Sequence, residues 1–162
     1  MKAGYEAGMA AALHAIERTQ LVPQQAAEAF GFFADAYNLE AITPPWLRFR
    51  ILTPRPIPMG EGTLIDYRLS LHRVPCRWHT RIDAWEPGVR FVDRQLSGPF
   101  SVWEHTHTFA SVPGGTLIRD RVVYRMPLGP LGEIARRVLI GRDLERIFDF
   151  RYEAIERLLV GA

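Results

Sequence analysis

At 162 residues, 48% hydrophobic and 23% charged, the chain has the balance of a folded protein large enough to bury a substantial core. Its net charge of +2 sets nineteen arginines and a single lysine, Lys2, against eighteen acidic residues and gives no electrostatic reason to expect a nucleic-acid partner. The lone Cys76 rules out an internal disulfide, and no run approaches the ~20 apolar residues of a membrane span.

Residues 1–13 read as an N-terminal extension and 14–162 as a single domain. Glu6 and the short apolar run argue against a signal peptide, so the expectation is a cytoplasmic protein without membrane insertion. His14 to Val22 predicts a first strand, ended by Pro23. Ala26, Ala29, Phe30 and Phe33 then recur at helical spacing within Gln24–Ala34. A second short helix follows over Asp35–Ile42, closed by Thr43-Pro44-Pro45.

From Trp46 the period switches to two. Leu47, Phe49 and Ile51 alternate with Arg48 and Arg50, which predicts a half-buried strand. After a loop rich in proline and glycine, strands are predicted at 63–73, 76–85, 89–97, 101–111 and 116–126. The turn chemistry of Val74-Pro75, Glu86-Pro87-Gly88, Gly98-Pro99 and Pro113-Gly114-Gly115 separates them. Connections this short favour an antiparallel meander. The remainder, Leu131 to Val160, has no proline. Ile140, Leu144, Ile147, Phe148, Ile155 and Leu158 give it one apolar stripe, the pattern of a long amphipathic helix.

The predicted fold is therefore α+β: a curved, seven-stranded antiparallel sheet wrapped around one long C-terminal helix, with two short helices after the first strand. The strand phases assign its two faces. Tyr67 and Trp78 point inward with Ile65, Leu69, Thr80 and Ile82. Trp85 shares the outward phase with Arg77, His79, Arg81 and Asp83. Phe91, Asp93 and Gln95 are placed inward because Arg94 is easier to solvate than to bury. Over 101–109 the inward face carries Trp103, His105, His107 and Phe109; over 116–126 it carries Ile118, Asp120, Val122, Tyr124 and Met126. Most strand arginines face outward among Asp66, Asp83 and Glu104, as on a solvated surface.

An inward face holding His105, His107, Asp93, Gln95 and Asp120 puts polar groups where a dry core is expected, and buried polar groups need partners. Two readings remain open. In the first, Asp accepts from a neighbouring imidazole in a structural network. In the second, the groups line a polar-tipped pocket walled by Trp78, Trp103, Phe91, Phe109 and Tyr124, with Phe148, Tyr152 and Ile155 of the long helix as its lid. Several such residues on adjacent strands favour the pocket. His105-x-His107, completed by Asp93 or Asp120, also permits a metal site, but no third histidine shares the phase, and neither metal nor cofactor is expected. Cys76 carries no nucleophile signature.

Phe33-Ala34-Asp35-Ala36-Tyr37-Asn38-Leu39-Glu40-Ala41-Ile42-Thr43-Pro44-Pro45-Trp46, Gly62-Thr63-Leu64-Ile65-Asp66-Tyr67 and Phe91-Val92-Asp93-Arg94-Gln95 resemble segments of one superfamily. Gly98-Pro99-Phe100, Trp103, His105, His107, Phe109, Asp120 and Tyr124 continue the match. It is the START-like, Bet v 1-type superfamily of polyketide cyclase/dehydrase and lipid-transport domains, in its small bacterial ligand-binding branch. The resemblance covers residues 14 to 160 and implies a helix-grip fold with a cavity between sheet and helix. It further implies binding of a hydrophobic or amphipathic small molecule such as a lipid, polyketide or quinone. Tyr67, Trp78, Asp93, Gln95, Trp103, His105, His107, Asp120, Tyr124 and Phe148 are its ligand-binding candidates; no catalytic residue is assigned. The alternative is a cyclase, aromatase or dehydratase in which a His–Asp pair is general base and Tyr67 or Tyr124 polarises a carbonyl. Nothing in the sequence fixes the oligomeric state.

Overall fold

The computed structural model describes residues 12–161. Most of the predicted N-terminal extension lies outside that range. Seven strands form one antiparallel sheet in the order β1-β7-β6-β5-β4-β3-β2. They are β1 (His14–Val22), β2 (Arg50–Ile51), β3 (Leu64–Leu71), β4 (Val74–Glu86), β5 (Arg90–Ser97), β6 (Val102–Val112) and β7 (Gly115–Arg125). Helices α1 (Ala26–Ala34) and α2 (Asn38–Ala41) follow β1. From Gly129 to Val160 the chain is helical throughout. This stretch comprises α3 (Gly129–Ala135), a wider π turn at Arg136–Ile140, α4 (Gly141–Ile155) and a second π turn at Glu156–Val160.

Each connection in the β3–β7 meander is a tight turn, which is why sequence neighbours pair in space. Only β1 crosses over, pairing with β7 from His14 opposite Tyr124 to Val22 opposite Thr116. α1 starts at Gln25, whose N–H donates to the Glu28 carboxylate at 3.3 Å, half of a capping box. Along α4, Leu144, Phe148 and Ile155 recur four and then seven residues apart, about one and two helical turns, and turn one stripe onto the sheet.

Two predicted elements shrink. Instead of a strand over Leu47–Ile51, Pro45–Leu47 form one 3₁₀ turn and Arg48 adopts a left-handed conformation, with φ 48°, leaving two residues to pair with β3. Leu47 and Phe49 are nonetheless buried. The second helix is one turn, because Asp35 accepts a hydrogen bond from the Tyr37 N–H at 2.9 Å and holds the entry as a turn. A third difference reverses a side chain. A β-bulge between Ile82 and Ala84 flips the phase of β4, so Trp85 points inward against Phe30, with ring centroids 4.9 Å apart, rather than outward with Arg81.

The interior has two halves. One is packed by α1, the end of α4 and the middle of the sheet: Phe30, Phe109, Ile118 and Ile155, with Phe33 and Phe91 at its border with the other. The other, bounded by Tyr67, Trp78, Trp103, Leu144 and Phe148, surrounds a hollow.

Candidate functional site

The hollow has a volume of about 170 Å³ and lies between β3–β6, α2 and the start of α4. The pleat builds its wall: Ile65, Tyr67 and Leu69 on β3 alternate with exposed Leu64, Asp66 and Arg68. Aromatic rings fill the sheet side. Tyr67 stacks on Trp78 at 5.7 Å, and Trp78 meets Trp103 edge-on at 5.1 Å. Tyr67 Oη and Thr80 Oγ1 lie 3.1 Å apart on this wall. Burial first, and then the negative charge of Asp93, push the Tyr67 hydroxyl well above its ordinary pKa, so it stays protonated. The indole Nε1 of Trp78 is buried and has no hydrogen-bond partner among the described residues.

A polar cluster stands where the hollow half meets the packed half. The ladders set it in a row across three strands: Asp93 on β5 faces His105 on β6, and His107 faces Asp120 on β7. The Asp93 Oδ2 atom is 3.3 Å from His107 Nε2 and 3.8 Å from His105 Nδ1. Asp120 Oδ1 is 2.6 Å from His107 Nδ1 and 3.5 Å from His105 Nε2, though none of these three Asp120-facing atoms is aligned for a hydrogen bond. Arg151 of α4 closes the row, its Nε 3.6 Å from Asp120 Oδ2. His107 stacks on Phe91 at 4.1 Å, and His105 lies 5.7 Å from Phe148.

The electrostatics of the row follow from that geometry. Burial lowers the pKa of His105 to about 4, and a charged His107 beside it adds to the effect, so His105 is neutral near pH 7. For His107 burial acts in the same downward direction, but the Asp120 and Asp93 carboxylates outweigh it and its pKa rises. Burial would lift both carboxylates; the imidazoles and Arg151 reverse this and keep Asp93 and Asp120 ionised, Asp120 well below the usual range. Two carboxylates thus face the Arg151 guanidinium and an imidazole, His107, whose pKa they raise, while His105 is left uncharged.

Of the ten candidate site residues, Tyr67, Trp78, Asp93, Trp103, His105, His107 and Phe148 line the hollow. Gln95, Asp120 and Tyr124 do not. Gln95 is spent on the β5–β6 turn, donating to Phe100 O at 2.6 Å, because Gly98 folds the chain back over its side chain. Asp120 lies behind the imidazoles, and Tyr124 is buried in the wall beside Phe100. On the helix, Tyr152 is half-exposed and Ile155 belongs to the packed half, so neither closes the hollow as predicted. Instead Ile140, Leu144 and Ile147 cover it with Phe148. Arg151 was missed by sequence reasoning. The signal was present: it sits three residues after Phe148 and seven after Leu144, on the apolar stripe.

His79 faces outward as predicted, 2.7 Å from Asp66, and His72 in the β3–β4 turn lies 2.5 Å from Asp143. On the outer sheet face Arg81 and Arg94 pair with Asp83 at 2.6 and 2.8 Å. Burial raises the thiol of half-buried Cys76, which keeps it protonated.

A curved antiparallel sheet gripping a C-terminal helix over a cavity is the helix-grip class. Residues 22–150 match the family described as polyketide cyclase/dehydrase and lipid transport. With most of its length covered, the chain belongs to that family. No curated protein matches it in sequence. Among solved structures, Ara h 8.0201 aligns with a TM-score of 0.67 at 16% identity, over 93% of this chain and all of the other. The Zhui aromatase/cyclase from Streptomyces sp. R1128 aligns at 0.64 and 16%, over 91% and 96%. A START superfamily protein from Mycobacterium smegmatis aligns at 0.60 and 17%, over 90% and 99%. At these identities the likeness shows the shared fold. No described helix is long and apolar enough to cross a membrane.

Proposed function

We propose that this protein binds a hydrophobic or amphipathic small molecule, of the lipid, polyketide or quinone kind, between the sheet and α4. One observation carries the reading: an aromatic hollow of about 170 Å³ with a neutral imidazole, that of His105, on its wall. Apolar contact would dominate affinity, at ~25 cal/mol per Å² buried. The oxygen-bearing end of the ligand would meet His105.

Intrinsic tryptophan fluorescence, with Trp78 and Trp103 on the wall, reports titration with a panel of fatty acids, aromatic polyketides and quinones. At least one class is expected to bind saturably. Leu69→Trp, which fills the hollow, should weaken that binding by about tenfold or more. Failure of every class to bind, or binding untouched by Leu69→Trp, overturns the reading.

A catalytic reading is favoured by one feature. His105 is neutral near pH 7 and 3.8 Å from Asp93, the protonation state a general base needs. Tyr67 or Tyr124 would then polarise a carbonyl. The aromatase/cyclase among the structural neighbours adds weight to this second reading. Turnover of a polyketide that is lost in His105→Ala while binding persists would establish it over simple carriage.

A further inference from the structure

Hydrogen bonding leaves the polar row only partly satisfied. Hydrogen bonds would draw an imidazole and a carboxylate to about 2.7–2.9 Å. Asp93 Oδ2 makes only a long hydrogen bond to His107 Nε2, at 3.3 Å, and stands 3.8 Å from His105 Nδ1. His105, whose side chain is 6% exposed, makes no hydrogen bond at either ring nitrogen among the described residues. Around a tetrahedral zinc ion with bonds of ~2.0–2.1 Å, neighbouring ligand atoms lie ~3.3 Å apart. The three donors all fall within 4.8 Å of one another and so can surround one ion after small adjustments.

What lies behind the imidazoles strengthens the match. In metal sites a ligating histidine turns its second nitrogen to a carboxylate or carbonyl, which fixes the ring. Here the second nitrogens of both histidines face the same oxygen, Asp120 Oδ1, at 3.5 and 2.6 Å. Arg151 holds the other carboxylate oxygen at 3.6 Å. The row thus has an inner carboxylate on β5, two imidazoles on β6 and an outer carboxylate on β7, fixed by the ladders rather than by loops.

We propose that Asp93 Oδ2, His105 Nδ1 and His107 Nε2 bind a divalent transition-metal ion, zinc above the others, with Asp120 as the outer carboxylate. All three ligands line the hollow, so the fourth coordination position opens onto it. Two imidazoles, one carboxylate and an open position are the donor set of sites that bind and polarise a ligand oxygen. The metal-binding claim stands without the small-molecule reading; only the occupant of the fourth position rests on it.

The test uses untagged protein stripped with a chelator and titrated with Zn²⁺ by calorimetry, with elemental analysis of the dialysed product. One zinc per chain is expected, and Co²⁺ in its place should give the strong visible absorption of four-coordinate cobalt. His105→Gln and Asp93→Asn, chosen to keep side-chain size, should each weaken zinc binding by about 100-fold, and Asp120→Asn by ~10–100-fold. The doubly substituted surface control, His72→Ala with His79→Ala, should leave it unchanged. Circular dichroism confirms that each variant is folded; a variant that unfolds is replaced by His107→Gln in the same titration. Sub-stoichiometric binding in the intact protein, or binding lost in the surface control and kept in His105→Gln, overturns the proposal. Repeating the fluorescence panel on stripped protein separates the two claims: ligand binding without zinc sinks neither, and zinc binding without any organic ligand sinks only the carrier reading.

Discussion

Tyr67 shows how a single buried hydroxyl makes a fold sensitive to alkali. Its hydroxyl is enclosed within reach of Thr80, and burial and Asp93 hold its folded pKa above the ordinary value of 10.0. A group whose pKa is raised on folding contributes its full stability below the unfolded pKa. That contribution is lost as pH rises past 10, by up to ~1.4 kcal/mol per pH unit. Urea unfolding at pH 9 and pH 11 should therefore show a smaller loss of stability for Tyr67→Phe than for the natural protein. Equal losses would mean that Tyr67 ionises in the folded state as readily as in water. Tyr67, His105 and His107 were legible from alternation alone, because their strands keep a strict period of two. Gln95 was not: its phase is inward, but a turn five residues on captures its amide. Nor was Arg151, since a charge on an apolar stripe finds its reason only in Asp120, thirty-one residues earlier and across the fold.

Among the elements, the meander from β3 to β7 could be read from its turns, and the long helix from its stripe. What failed did so through local backbone geometry. The left-handed residue at Arg48 and the bulge after Ile82 each break a period, and neither position carries a glycine to announce it. Trp85 therefore lands beside Phe30, and the inner face gains an aromatic that strict alternation assigns to solvent. Two glycines make an opposed pair of predictions. A Cβ at Gly132 would come within 1.8 Å of Pro127 O, so the start of α3 can approach the end of β7 only without a side chain. Gly31, inside α1, has open space around the same position. Gly132→Ala should cost about 1–3 kcal/mol in urea denaturation. Gly31→Ala should add ~0.5–1 kcal/mol through lower backbone entropy in the unfolded chain. Similar shifts for both would mean that α3 yields without resistance.

For the whole molecule, the division into a packed half and a hollow half is the property that matters. Sequence could place aromatics on an inner face, but not say which would meet and which would stand apart, since that depends on the separation of helix and sheet. The helix is fastened along β1: Arg18 reaches Glu145 and Asp149, and Gln20 donates to Glu156 at 2.8 Å. The hollow thus persists in the free protein as a store of unmade contacts. A ligand that fills it stabilises the folded state by mass action. At a hundred times its Kd it should add ~2.7 kcal/mol and raise the melting temperature accordingly. A compound that quenches tryptophan fluorescence yet leaves the melting temperature unmoved at that concentration binds outside the hollow.

The pairing of β1 with β7 joins residues about a hundred positions apart, and the lid comes later still. A nascent chain emerging from the ribosome therefore presents the trough of Tyr67, Trp78 and Trp103 bare until α4 has been synthesised. Throughout that interval the apolar surface that will line the hollow is open to any apolar segment nearby. Nascent chains halted just before residue 141 should accordingly recruit holdase chaperones far more than chains extended past residue 160.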